Sequence, residues 1–298
     1  MNPVPPPMSI FMLSAFTPDF ESGIVVCHKI LYTYCTLTGG VRLYMTLLSR
    51  LMRVQMVLRH VLYLNYLVPA PRVRPLVPEI LPLAMVDLNK VFVSVVILRS
   101  ERVRASLLPF PRFNYNQINV RTYVIDPQSG KQAVCFLKSG VTSAPVSFLT
   151  RTIGIPWQHV AFDMKVVTDE VANYASYEIA GNWDGEFSVK VQGTPLPPLQ
   201  IAPFDDTESA VNYLVRPLIG FFGKGDGATR FGIRHPEINP CAGSLSSIHF
   251  PILNSMNLVE EKEMRNPQSV LFVPEAQFYI YLPPTWVKGK VRQYSSTG

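Results

Sequence analysis

The chain has 298 residues, of which 48% are hydrophobic, so it can bury a sizeable core in one large or two ordinary domains. Only 16% of the residues are charged, whereas 27 are proline and 13 are tyrosine, which is typical of strands and turns rather than exposed helices. The net charge of +6 comes from residues 1–112, but no nucleic-acid-binding motif accompanies them, so we expect no nucleic-acid partner.

The first predicted elements are a proline-rich head at 1–40 and a basic amphipathic helix at 41–54. Arg42 and Arg53 fall on one arc of this helix and leucines on the other, a pattern that favours docking on the protein body over contact with a membrane surface. No Lys or Arg precedes Lys29, so the basic start of a signal peptide is missing. Every long apolar run is interrupted by Pro or Arg, which excludes a predicted spanning helix.

Ten short β-type runs bounded by turn residues follow the predicted helix. They are residues 61–68, 91–98, 118–125, 132–138, 174–180, 186–192, 228–234, 245–250, 269–273 and 277–282. Brief helical patterns occur only at 71–79, 144–154 and 206–220. So many strands predict a mainly β (β-rich α+β) fold, with one domain at 55–285 whose antiparallel sheet closes into a barrel or sandwich, and a basic tail at 286–298.

Spacing excludes several common motifs. The glycine cluster at 220–230 fits neither a phosphate loop nor a dinucleotide-binding fingerprint, so we interpret it as a hairpin loop. No G-x-S-x-G pentapeptide of a serine hydrolase is present. The four cysteines include no C-x-x-C pair, and no histidine lies at zinc-ligand spacing. We therefore expect no metal, no cofactor and a cytoplasmic location, with His159 and His249 as weak site candidates among the dispersed histidines.

One predicted strand carries a dense row of polar groups. In the run at 113–124, Gln117, Asn119, Arg121 and Tyr123 share one face, and apolar residues dominate the other. The apolar face must be core. The polar face suits a carboxylate or carbonyl ligand if it lines a cavity, and is a solvated surface if it does not.

The next strand raises the question of a reactive lysine. Alternation in the run at 132–138 places Val134, Phe136 and Lys138 on one face. Apolar neighbours would favour the neutral, nucleophilic amine, whereas a strand end lets a lysine reach water, and we favour the second interpretation.

Three segments, taken in order, resemble the acetoacetate decarboxylase-like superfamily, most closely its uncharacterised YqjF-like bacterial group. They are "YLVPAPRVRPLVPEIL" at 66–81, "NYNQINVRTYV" at 114–124 and "GIPW" at 154–157. The resemblance covers about residues 54–285. It implies a predominantly antiparallel, cone-like barrel with the site inside.

The resemblance also implies that the parent chemistry is absent. In the decarboxylases a Schiff-base lysine follows Gly-Phe-Pro, where this chain has Trp157, and indole cannot form an imine. An acidic residue follows Tyr-Asn there, where this chain has Gln117, which cannot exchange a proton. We expect a pocket for an apolar ligand with a carbonyl or carboxylate end, whose contacts are Tyr115, Gln117, Asn119, Arg121, Trp157 and His159.

Two alternatives stay open beside this small-molecule-binding hypothesis. One is a Schiff-base enzyme whose lysine has moved to Lys138; the other is a membrane-surface or structural protein that uses the basic helix at 42–54. Relatives in the superfamily form oligomers, which implies a homo-oligomer here. Residues 1–51 have no counterpart in the family, so Met52 or Met56 could be the native start.

Overall fold

A computed structural model describes most of the chain beyond the predicted N-terminal segments. The described ranges are 53–106, 112–152, 154–168, 174–194 and 196–288. The predicted head lies outside them, as do residues 41–52 of the predicted basic helix and 289–298 of the predicted tail. Arg53 and Val54, placed at the end of that helix by the sequence pattern, instead open the first strand, so the predicted helix boundary was wrong.

Strands dominate the described residues. They are β1 Arg53–Pro69, β2 Lys90–Ala105, β3 Phe113–Ile125, β4 Gln132–Val141, β5 Gln158–His159, β6 Ala161–Thr168 and β7 Tyr174–Asn182. They continue as β8 Glu186–Gly193, β9 Ile219–Lys224, β10 Gly227–Arg234, β11 Cys241–His249, β12 Ser269–Tyr281 and β13 Thr285–Lys288. Each of the ten predicted strands falls within one of these to within one residue, and the last two predicted strands are a single strand, β12. The predicted mainly β fold is confirmed.

The helices are short and lie between strands. They are α1 Ala70–Val73, α2 Ala144–Thr152, α3 Thr207–Leu214, α4 Pro251–Ser255 and α5 Glu261–Met264, with a 3-10 turn at Arg74–Leu76. Asp206 caps α3 by accepting a hydrogen bond from the backbone N–H of Ser209. This helix ends earlier than predicted, because Pro217 disfavours helical geometry just before it and β9 starts two residues later. No helix in the described ranges is long and apolar enough to cross a membrane.

The strands form one sheet with a closed portion. Its order is β13-β10-β9-β4-β3-β2-β1-β12-β11-β8-β7-β6, and β10 also pairs with β12. This extra pairing, through Ile233 and Ile280, closes seven strands into a ring. Closure removes free strand edges. The sheet is not wholly antiparallel as predicted, because β4 pairs in parallel with both β5 and β9.

Both faces of the central strands β1 to β4 are buried. One, here called the Val120 face, carries Ile118, Val120 and Val124 and packs against a cluster that includes residues of β7 and β8. The other, the Arg121 face, carries the row from Tyr115 to Tyr123 and packs against residues of α3, β9 and β10. Burial on both sides decides the question that the sequence left open: the polar row on β3 is not a solvated surface.

Candidate functional site

The centre of the candidate site is the row of polar side chains along β3. Gln117 and Asn119 are only 7% and 3% exposed, and the side-chain amide of Gln117 donates to Asn119 Oδ1 at 3.0 Å. Arg121 and Tyr123 follow at alternate positions, so the strand alone sets the order of these groups. The sequence placed these four residues on one face, and the structure places them there.

Arg121 is a guanidinium without a carboxylate partner in the described part of the chain. Its Nη2 donates to the carbonyl oxygen of Leu214 at 2.7 Å, and its charge lies 5.3 Å and 5.6 Å from the ring centres of Tyr63 and Tyr123. Its Nε is buried with no hydrogen-bond partner. A buried cation is normally paired, so this geometry leaves a donor available to an anion.

A network of hydrogen bonds beside Arg121 holds the side chain of Tyr123 in place. Tyr123 Oη lies 2.8 Å from the Leu214 carbonyl oxygen and 2.7 Å from Ser94 Oγ, which itself lies 2.6 Å from Asn65 Oδ1. Asn65 and Ser94 are fully buried. Burial raises the pKa of the nearby Tyr63 above its ordinary value, so this phenol stays neutral at physiological pH. The network fixes the Tyr123 ring over which the guanidinium lies.

Trp157 lies on the same face, at the other end of the row. Gly154 takes φ +81°, and the backbone N–H of Trp157 donates to the Ile155 carbonyl at 2.8 Å across Pro156, a three-residue turn. The indole packs edge-on against Tyr115 at 6.3 Å, and its Nε1 is buried without a partner. Arg121 follows Tyr115 by six positions, about 20 Å along an extended strand.

Lys138 does not join the other candidates. The β3–β4 register pairs Val120 with Lys138 but Arg121 with Phe136, so β4 has a one-residue bulge between Phe136 and Lys138. The predicted sharing of one face by Val134, Phe136 and Lys138 is therefore wrong. Lys138 lies on the Val120 face, where its ammonium pairs with Asp184 and lies 5.3 Å from the centre of the Trp183 ring.

His159 is also separate from the buried row. It forms the short strand β5 with Gln158, opposite Val141 of β4, and its side chain is exposed. The exposed His249 lies on β11. In the described part of the chain, no three His, Cys, Asp or Glu side chains are placed to bind a metal ion together.

Two residues that the sequence did not single out belong to the site. Ser139 lies opposite Asn119, and its hydroxyl is buried without a hydrogen-bond partner. His235 follows β10 directly, and its Nε2 is likewise buried and unpaired. Period-2 alternation could have found Ser139 only if the β4 bulge were known. No local pattern marks His235, because ring closure through β10 and β12 brings it to the site.

Comparison with known proteins supports the fold. The chain matches the DUF2071 family, described as an uncharacterized conserved protein, over residues 55–277, about three quarters of its length. No curated protein sequence matches the chain significantly.

Two solved structures are similar. One is an acetoacetate decarboxylase-like enzyme from Sphingomonas wittichii RW1, with 11% identity, TM-score 0.52, and coverage of 80% of this chain and 94% of that one. The other is acetoacetate decarboxylase from Legionella pneumophila subsp. pneumophila str. Philadelphia 1, with 11% identity, TM-score 0.50, and coverage of 78% and 86%. At such identity the likeness concerns the fold alone. The chain therefore belongs to the DUF2071 family of uncharacterized conserved proteins and has the fold of acetoacetate decarboxylase-like enzymes.

Proposed function

We propose that the protein binds, without a covalent bond, a small ligand with a carboxylate end and an apolar body on the Arg121 face. The observation that carries this proposal is the environment of Arg121. Among the described residues this cation has no carboxylate partner, and the N–H of its buried Nε has no hydrogen-bond acceptor. A ligand carboxylate supplies the charge and the acceptor that this group lacks.

The surroundings of Arg121 support an apolar ligand body. Tyr63, Tyr115, Tyr123 and Trp157 belong to the same buried cluster, which is otherwise built of aliphatic, methionine and phenylalanine side chains. Aromatic walls with few polar groups are typical of small-molecule sites. Gln117 and Asn119 are buried between Trp157 and Arg121, where they supply neutral amide groups.

The placement of the lysines supports non-covalent binding. Each lysine side chain in the described ranges is exposed except that of Lys138, which is ion-paired on the opposite face of the sheet. An imine needs a neutral amine beside the bound carbonyl. The Arg121 face offers no such amine within the described residues, so the proposal is binding rather than Schiff-base catalysis.

The test is titration of the purified protein with straight-chain carboxylates from butanoate to decanoate, followed by calorimetry and by the shift in Tm. We expect affinity to rise with chain length and Arg121→Gln to weaken octanoate binding about 30-fold, because a hydrogen bond to a charged group contributes about 2 kcal/mol. Octanol, which has the same length but no charge, should bind far more weakly than octanoate.

Arg151→Gln is the matched control, because Arg151 is exposed on α2 and loses the same charge. It should leave octanoate binding unchanged. Equal weakening by both substitutions would show a general charge effect and refute a site at Arg121. Absence of binding to any of the carboxylates by the folded protein would also refute the proposal.

A further inference from the structure

Nε2 of His235 is a second buried polar atom without a hydrogen-bond partner, and the charge of Arg121 acts on this histidine. The segment that follows α3 touches both: the Leu214 carbonyl accepts from Arg121, and the Leu218 carbonyl accepts from the backbone N–H of Ile233 at 2.8 Å, two residues before His235. The imidazole stacks on Phe278 with ring centres 4.8 Å apart, which orients it. One short segment therefore contacts both Arg121 and the end of β10 that leads to His235, and the charge of Arg121 acts on this imidazole.

The hydrogen bond on the other side of the ring fixes what His235 offers. Its Nδ1 lies 2.7 Å from the carbonyl oxygen of Pro236, and a carbonyl only accepts, so Nδ1 carries the proton and Nε2 carries a lone pair. Burial lowers the pKa of His235, the carbonyls of Pro236 and Pro217 oppose this in part, and the charges of Arg121 and Arg216 lower the pKa further. The ring is neutral at pH 7, with a buried acceptor at Nε2.

We propose that Nε2 of His235 accepts a hydrogen bond from a hydroxyl group of the ligand whose carboxylate binds Arg121, so that the ligand class is a hydroxycarboxylic acid. This inference rests on the function proposed above. An oxo acid has no donor to offer Nε2, and a plain fatty acid leaves it unpaired. An ammonium group would be repelled by Arg121 and Arg216, so an amino acid is disfavoured.

The inference is tested with ligands of one chain length that differ only near the carboxylate: 2-hydroxyoctanoate, 3-hydroxyoctanoate, 2-oxooctanoate and octanoate. Calorimetry on the wild-type protein should show that one of the two hydroxy acids binds about tenfold more tightly than octanoate and 2-oxooctanoate. His235→Phe, which keeps a ring against Phe278, should abolish this preference. His235→Gln, whose side-chain oxygen accepts, should restore part of the preference.

His249→Phe is the control, because His249 is exposed on β11, and it should change none of the affinities. If all four acids bind equally, or 2-oxooctanoate binds best, the inference is wrong while carboxylate binding stands. A hydroxy-acid preference that survives both His235 substitutions would overturn it as well. If the folded protein binds none of the four, both this inference and the proposed function fail.

Discussion

Ser147 on α2 donates a hydrogen bond to the carbonyl oxygen of Trp157 at 3.0 Å, which ties the turn at 154–157 to the helix before it. Ser147 is 3% exposed, so the carbonyl loses its buried donor if the hydroxyl is removed. We expect Ser147→Ala to lower the free energy of unfolding by about 2 kcal/mol. Urea denaturation measures this, and Ser247→Ala on the exposed side of β11 should cost less than about 0.5 kcal/mol. Equal costs for the two would contradict the assignment.

The two buried tryptophans form a matched pair. Trp183 donates from Nε1 to Gln158 Oε1 at 2.7 Å and lies under the Lys138 ammonium, whereas Nε1 of Trp157 has no partner in the described structure. Replacement by Phe therefore removes a hydrogen bond in the first case and an unsatisfied donor in the second. We expect Trp157→Phe to cost about 1 kcal/mol less stability than Trp183→Phe, measured by urea denaturation. The reverse order would mean that Nε1 of Trp157 is satisfied.

Lys138 provides a direct check on the Schiff-base alternative. Incubation with pyruvate, acetoacetate or 2-oxooctanoate and borohydride should give no ligand-sized mass gain, because the Lys138 ammonium is paired with Asp184 away from the Arg121 face. Intact-mass analysis measures the outcome, with Lys138→Ala as the comparison. A wild-type adduct that maps to Lys138 and disappears in the variant would instead establish imine chemistry.

Asp126 gives the fold an acid-sensitive contact. The carboxylate is fully buried at the end of β3 and accepts from Arg230 at 3.0 Å and from Ser129. Although burial alone would raise the pKa of Asp126, the hydrogen bonds from Arg230, Ser129 and the backbone of Gln128 lower it below its ordinary value. The contact thus stabilises the fold fully above the unfolded-state pKa of about 4, and its contribution is lost as the pH falls through the folded-state pKa.

We therefore expect Asp126→Asn to cost about 3 kcal/mol at pH 7, because it breaks a buried ion pair, and progressively less as the pH falls from 5 to 3. Urea midpoints across this pH range measure the difference from wild type. Asp226→Asn, in the exposed turn between β9 and β10, should give a small difference without that trend. A constant Asp126→Asn cost over the whole range would show that the carboxylate is not the titrating group.

The face alternation of β3 could be predicted from the sequence because a regular strand of period 2 needs no knowledge of its neighbours. The faces of the β4 side chains could not all be predicted, because one extra residue around Leu137 moves the side chains of Lys138 and Ser139 to the opposite faces of the sheet. This bulge contains no glycine or proline that would mark it in the sequence. Alternation along the strand therefore predicts the correct face of the sheet for Gln117 and Arg121 and the wrong face for Lys138.

β12 shows the same dependence on a partner strand. The sequence pattern predicts two short strands here, at 269–273 and 277–282, and Pro274 between them cannot donate to the ladder. In the structure Val273 pairs with Val61 and Glu275 pairs with Arg59, so Pro274 lies opposite His60, where φ is +54° and β1 is bulged relative to β2. Because β1 is irregular at His60, its pairing with β12 needs no backbone N–H from Pro274. β12 therefore continues without a break from Ser269 to Tyr281.

The β1–β12 pairing has a consequence for how the protein is made. Arg53 pairs with Tyr281, more than 200 residues later, and β12 also supplies the contacts that bring in β10 and β11. During synthesis, β1 therefore has an unpaired edge until almost the whole described sequence has left the ribosome. Pairing across such a separation is intrinsically slow, so the nascent chain is exposed to aggregation until its last long strand arrives.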